Sequence, residues 1–415
     1  MTKNSDLPTA AQIPLQTFHL PAFPPEAANL KHLTLTSDIK PTDYADFLSI
    51  PLSTDAIPSL PRGLESLTLE LFSLGYPAPF LTRLGKALPN LKDLTLYSHL
   101  IDGVSDSSRR DAGDFIHGLL TGSKVKDQDT SGGGGLRELH LLDVFCRKGF
   151  ISGIGDILQD LDGGGGDGRR CQTTLRFLEV SYTYRGHSDG EFLSRIPVDE
   201  LPGLIVGGLV GVSLRLEATS TSTSTAGAGL EGVPDDPADV DEDGVRVGRK
   251  PEGIVPVGSG HEGTKLLVEK LGGSGTGDES GLKMLDCTLY ALSLEQMGRV
   301  LKRQRRLAVL SVSVLLPEGD EAKRGLLETL RLGGEELEVV EVVGVPGQKW
   351  KDVGDSVKSD ELFRDVFPSL SDMLELTAAL PRLESFSMTI LRALAFGSVS
   401  WVRRDGKWVD STDRS

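Results

Sequence analysis

One short phrase returns along this chain: leucine, two residues, leucine, one residue, leucine. It stands at Leu30-Leu33-Leu35, Leu64-Leu67-Leu69, Leu91-Leu94-Leu96 and Leu136-Leu139-Leu141. Degenerate copies stand at Leu175-Leu178-Val180, Leu282-Leu285-Cys287, Leu307-Leu310-Val312, Leu337-Val340-Val342 and Leu383-Phe386-Met388. A returning phrase constrains the fold more tightly than composition does. Each unit of a repeat architecture buries its apolar face only against its neighbours, so the units must stack.

Consecutive copies at 64 and 91 are 27 residues apart, and those at 282 and 307 are 25 apart, the length of one leucine-rich repeat. Inside the widest gap, from 175 to 282, Val212-Leu214-Leu216 alternates as a strand does and supplies a hidden copy. Between the phrases lie apolar residues at helical spacing: Phe80 to Leu88, Ile154 to Leu161, Leu294 to Leu301, Leu326 to Leu330 and Leu370 to Leu380. Pro89 and Pro381 stop two of these helices just before the next strand. The implied fold class is α/β: a leucine-rich-repeat solenoid with a curved, mostly parallel sheet inside and helices outside, since parallel strands need crossovers.

The organisation read from the pattern has five parts. Residues 1–27 are an N-terminal extension, 28–216 a first repeat arc and 281–400 a second arc. Between the arcs, 217–280 reads as a disordered insertion. It holds a Ser/Thr tract (Thr219 to Thr225) and an acidic stretch (Asp235 to Asp243), and its composition cannot offset the entropy of ordering. One short helix over Lys265 to Leu271 is the exception. Residues 401–415 read as a capping hairpin and tail, with Asp405-Gly406 as its two-residue turn.

The formal charge of −16 argues against general nucleic-acid binding, which needs a basic surface. Cys146, Cys171 and Cys287 are too scattered for a disulfide framework or a zinc cage. Met1 to Pro24 lacks the apolar core of a signal peptide, and the longest apolar stretch, Leu201 to Leu214, is too short to span a bilayer. A reducing compartment, cytoplasmic or nuclear, with no membrane, fits these features. No nucleophile elbow and no metal-ligand spacing among the histidines is found, so no enzyme activity, metal or cofactor is expected. A weaker alternative role, nucleotide binding, rests on residues 258–265 alone, where Gly263-Thr264-Lys265 reverses the Lys and hydroxyl order that a phosphate loop requires. Lys302 to Arg306 reads as the basic end of a helix rather than an import signal.

If the phrase leucines point inward, the residues between them form three outward rows. Most of these are Ser, Thr and acidic, around a small aromatic centre of Tyr97, His140 and Phe177, with Glu179 in the same rows and Tyr182 and Tyr184 just beyond. Aromatic residues on a polar curved surface are what binding hot spots look like, and solenoids use the concave face. The expected role is a non-catalytic scaffold that binds a partner protein through Tyr97, His140, Phe177, Glu179, Tyr182 and Tyr184.

Four phrases carry a resemblance: Leu64-Glu-Ser-Leu-Thr-Leu69, Leu88-Pro-Asn-Leu-Lys-Asp-Leu-Thr-Leu96, Leu136-Arg-Glu-Leu-His-Leu141 and Leu380-Pro-Arg-Leu-Glu-Ser-Phe386. With them the chain resembles irregular leucine-rich-repeat proteins, in particular fungal F-box/leucine-rich-repeat-like proteins. The resemblance implies partner binding. It also implies an alternative role, substrate recognition in a ubiquitin ligase through an adaptor. The F-box of that family is a helical module at the N-terminus. The proline-rich residues before the first phrase hold no three-helix pattern to match it.

Overall fold

A computed structural model of the protein describes residues 20, 22–37, 50, 52–53, 55–61, 63–71, 76–98, 100–121, 135–163, 174–184, 189–218, 254–273, 281–317, 321–346, 366–391 and 398–411. The chain is α/β and its strands pair mostly in parallel. It divides into two compact units, residues 1–139 with 144–161, and residues 140–143 with 162–415. The division falls near the fourth phrase.

In the first unit, β1 (His32–Ser37), β2 (Ser66–Leu71) and β3 (Asp93–Ser98) pair in parallel and in sequence order. The ladder places Leu33, Leu67 and Leu94 side by side, and likewise Leu35, Leu69 and Leu96. Phrase therefore lies on phrase, and Leu67, Leu69, Leu94 and Leu96 are buried. Helices α1 (Phe80–Ala87), α2 (Asp106–Thr121) and α3 (Phe150–Gly163) follow the strands. The Asp111 carboxylate of α2 accepts the Leu81 and Thr82 N–H groups at 3.0 and 2.9 Å, filling the anion-seeking start of α1 from within the protein. Gly85 lets the two helices close, because a Cβ there would lie 3.0 Å from the Phe115 ring. Asp102, fully buried, accepts from Arg147 Nε at 2.9 Å and from the Arg147 backbone N–H at 3.2 Å.

The second unit holds the end of β4 (Glu138–Leu142), then β5 (Phe177–Tyr184), β6 (Gly211–Ala218), β7 (Met284–Leu292), β8 (Val309–Leu316), β9 (Val339–Pro346) and β10 (Ser385–Ile390). From β5 to β10 all pairs are parallel and sequential. The hidden copy is present as β6, with Val212 beside Leu178 and Leu285. Its phrase begins at buried Leu209, so it reads Leu209-Val212-Leu214, one step earlier than the alternation alone suggests.

The tail reverses direction. β11 (Ser398–Arg404) pairs antiparallel with β10 and with β12 (Lys407–Asp410). Asp405 and Gly406 at the turn have φ of 50° and 74°, the left-handed pair that a two-residue hairpin needs. Trp408 Nε1 donates to Thr377 Oγ1 at 2.8 Å, tying the hairpin to the helix over Leu370–Ala379.

The short helix expected over Lys265 to Leu271 is present, and the expectation of disorder fails for the residues around it within Ile254 to Gly273. Val257 bridges Tyr290 in parallel, through Val257 N–H to Leu289 O at 2.9 Å and Ala291 N–H to Val257 O at 2.8 Å. The chain then forms a helix over Glu262–Gly272 that buries Leu267, Val268 and Leu271. With α4 (Asp189–Ser194) before it, this helix is α5. Helices α6 (Leu294–Arg303), α7 (Glu321–Leu330) and α8 (Leu370–Ala379) follow. The i, i+1, i+4 spacing of Leu267, Val268 and Leu271 is the local apolar signal that made this helix legible within a polar stretch. The Ser/Thr tract and the acidic stretch lie outside the described residues.

Two predictions follow from this packing. Leu267→Ala, at a fully buried position, should cost about 2–5 kcal/mol of stability by denaturant unfolding. A cost near zero would mean that α5 is not part of the core. At the surface, Lys31 and Lys92 each lie 2.8 Å from Glu65 and hold its carboxyl down at about 2, against an ordinary 4.5. Because the folded value is the lower one, the stabilisation is complete above the ordinary value and is lost as pH falls toward the folded value. A carboxyl-carbon NMR titration should show Glu65 still ionised where ordinary glutamates protonate.

Candidate functional site

The outward rows read from the phrases coincide with the ladder of the second unit. One row runs Phe177, Gly211, Met284, Val309, Val339, Ser385. The next runs Glu179, Ser213, Asp286, Ser311, Glu341, Ser387. The third begins Ser181, Arg215 and then breaks, because β7 carries extra residues between Asp286 and Ala291. Ala291, not Thr288, therefore stands opposite Ser313.

The first row is an apolar stripe. Phe177, Met284, Val309 and Val339 are all half-buried. Gly211 makes the stripe continuous, since a Cβ there would lie 2.5 Å from Phe177 Cδ2 and 3.7 Å from Met284 Cβ. The absence of a side chain on β6 is what gives the Phe177 ring room to lean across it. His140 packs against the same ring at a centroid distance of 5.5 Å.

The second row is charged and internally tied. His140 Nδ1 lies 2.6 Å from Glu179 Oε2, and this hydrogen bond holds the Glu179 carboxyl below its usual range against the opposing effect of burial. Arg215 bridges the next strands, donating from Nε to Asp286 Oδ2 at 2.8 Å and from Nη1 to Glu217 Oε1 at 3.0 Å. Those carboxylates, Asp286 first, raise the guanidinium pKa still further, so the group is permanently charged. Thr288 donates from its backbone N–H and its hydroxyl to Asp286 Oδ1 at 3.2 and 3.0 Å. Between Glu179 and Asp286 in the register, the buried Ser213 hydroxyl has no hydrogen-bond partner among the described residues.

Of the six residues expected to meet a partner, His140, Phe177 and Glu179 come together in this unit. Tyr97 is half-buried on β3, opposite Glu70, in the first unit. Tyr182 and Tyr184 are corrections: they are 0% and 6% exposed and cannot face a partner. The strand does not end at Ser181 but runs to Tyr184, so strict alternation turns both rings inward with Leu178 and Val180. Tyr184 there meets Phe192 edge-on at 5.4 Å. Arg215 was missed for a related reason. The phrase of β6 starts at Leu209, and reading it from there places Ser213 and Arg215 in the outward rows.

The 258–265 segment does not form a phosphate cradle. The Gly263 N–H donates to Asp199 Oδ1 at 3.1 Å and to His261 Nδ1 at 3.2 Å, so a carboxylate occupies the start of α5. The Thr264 hydroxyl is buried and donates to Gly258 O at 2.9 Å, while Lys265 turns to Glu262 at 3.4 Å. An open cleft of about 770 Å³ lies beside this segment, lined by Val255, Pro256, Ala291, Leu315 and Val345 among others. It is largely apolar, and its Ser293 hydroxyl already caps α6 by accepting the Gln296 N–H at 3.2 Å. Burial pushes the Cys287 thiol up, away from the reactive thiolate. Among the described residues, no group of three His, Cys, Asp or Glu side chains is placed to hold a metal, and no helix is long and apolar enough to cross a membrane.

Compared with known protein families and with curated proteins, the chain finds no match in either.

Replacing His140 with Leu removes the hydrogen bond that depresses Glu179. The Glu179 titration, followed by carboxyl-carbon NMR, should then move up toward its ordinary value. An unmoved titration would show that the pair is not formed in solution.

Proposed function

We propose that this protein is a non-catalytic binding protein of the leucine-rich-repeat type, which presents the outward sheet face of its second unit to another protein. One observation carries the reading. Four apolar side chains, Phe177, Met284, Val309 and Val339, stand in one row on a face whose neighbouring row is charged and hydroxylic. An apolar stripe edged by polar groups is the composition of a protein-binding surface, with Phe177 and Met284 as its large anchors. The fixed His140–Glu179 and Arg215–Asp286 pairs add directional groups that are ordered before a partner arrives, which lowers the entropy cost of binding.

The test uses a photo-crosslinking amino acid placed at Met284 and, separately, at Glu295 on α6 in the full-length chain. Crosslinking to a discrete protein from Met284 alone, lost on Val309→Asp at an unchanged melting temperature, is the expected outcome. Equal products from the two positions, or indifference to Val309→Asp, would end the reading. Recovery of a ubiquitin-ligase adaptor among the products would identify the assembly that the partner belongs to.

A further inference from the structure

We infer that the segment seated on this face is a basic amphipathic helix, lying across the strands with its apolar stripe on Phe177, Met284, Val309 and Val339 and its lysine or arginine side chains over Glu179 and Glu341. The inference rests on the binding reading above and adds the chemistry of the occupant.

The register sets the dimensions. Neighbouring strands lie about 4.8 Å apart, so the accessible carboxylates, Glu179 on β5 and Glu341 on β9, stand about 19 Å apart. A helix rises about 1.5 Å per residue, so cations about two heptads apart on one flank match that separation. Successive outward positions along a strand lie about 7 Å apart, which separates the apolar row from the carboxylate row. One helix, about 10 Å wide, covers both rows at once. An extended segment does not, because its alternate side chains point to opposite sides.

The charges set the sign. Asp286 is buried and neutralised by Arg215, which leaves Glu179, Glu217 and Glu341 on this part of the face. Glu341 is exposed and engages no cation among the described residues. The position one residue before the strands is of mixed charge, with Arg176 and Lys283 before β5 and β7 and Glu338 and Glu384 before β9 and β10, and Arg176 Nη1 is held by Gly208 O at 2.9 Å. An independent feature is the Ser213 hydroxyl, buried between Glu179 and Asp286 with no hydrogen-bond partner among the described residues. A lysine ammonium carries only donors, and a hydroxyl oxygen can accept one.

Fluorescence anisotropy on the full-length protein tests the inference with an 18-residue helical peptide bearing a leucine stripe and lysines two heptads apart on one flank. The control is the same peptide with glutamate in place of lysine. The lysine peptide should bind about tenfold tighter, with the difference shrinking as salt rises from about 0.05 to about 0.5 M. Glu341→Gln, at an exposed position, should weaken it about threefold, and Glu295→Gln on α6 should leave it unchanged. Equal binding of the two peptides, no binding of the lysine peptide, or equal effects of the two variants would overturn the inference. If the Met284 crosslink persists in any of those cases, the face still binds a partner and only the chemistry assigned to it is wrong. If the crosslink also fails, the binding reading falls with it.

Discussion

The structure depends on one backbone arrangement that recurs at the start of its strands. The carbonyl of the residue after the first leucine of a phrase accepts two N–H groups from the next strand. Lys31 O accepts from Glu65 and Ser66, Glu65 O from Lys92 and Asp93, and Lys92 O from Arg137 and Glu138. In the second unit Arg176, Val210, Lys283, Ala308 and Glu338 do the same for the strand that follows each. Backbone groups carry this clamp, so it tolerates any side chain at that position, and Lys, Glu, Arg, Val and Ala all occur there. Its effect is to set the register. A slip of one residue would move every phrase leucine to the opposite face of its strand.

Given that register, the side chains sort themselves into rows. The inward rows are aliphatic and buried. The outward rows inherit whatever stands between the leucines, and equivalent positions become neighbours about 4.8 Å apart. This is why Arg215 can reach Asp286, 71 residues away in sequence but on the adjacent strand. It is also why Lys31, Glu65 and Lys92 form a chain of ion pairs. The surface chemistry follows from aligning the phrases, and no single segment contains it.

That dependence explains what was legible in the sequence. The phrase leucines revealed the α/β class, most strands, five helices and the pairing of Glu179 with the Asp286 row, because hydrophobic period and register are local signals. The hairpin at Asp405-Gly406 was legible through its turn residues. Tyr182 and Tyr184 were misread because the phrase marks where a strand starts and says nothing of where it stops. Helix α2 was not anticipated because its apolar residues, Ala112, Phe115, Ile116 and Leu119, follow a polar first turn with no phrase nearby. The Phe177–Gly211 fit is a relation between two strands 34 positions apart, and it emerges only once β6 is phased from Leu209.

Strand length accounts for the ordered part of the long segment. β1, β2 and β3 have six residues each, whereas β5, β6, β8 and β9 have eight and β7 has nine. Longer strands add inward positions beyond the phrase: Tyr182 and Tyr184 on β5, Leu289 and Tyr290 on β7, Val314 and Leu316 on β8, all buried. These side chains need cover that the short-strand plan does not supply. Residues 254–257 provide part of it by pairing with the detour in β7, and α5 follows directly. Tyr290 then reaches past the sheet to donate its hydroxyl to Val198 O at 2.7 Å, and Gly263 approaches the same carbonyl so closely that a Cβ would lie 2.4 Å from it. A stretch of chain whose average composition looks unable to fold is held in place because the strands beside it are too long to close without it.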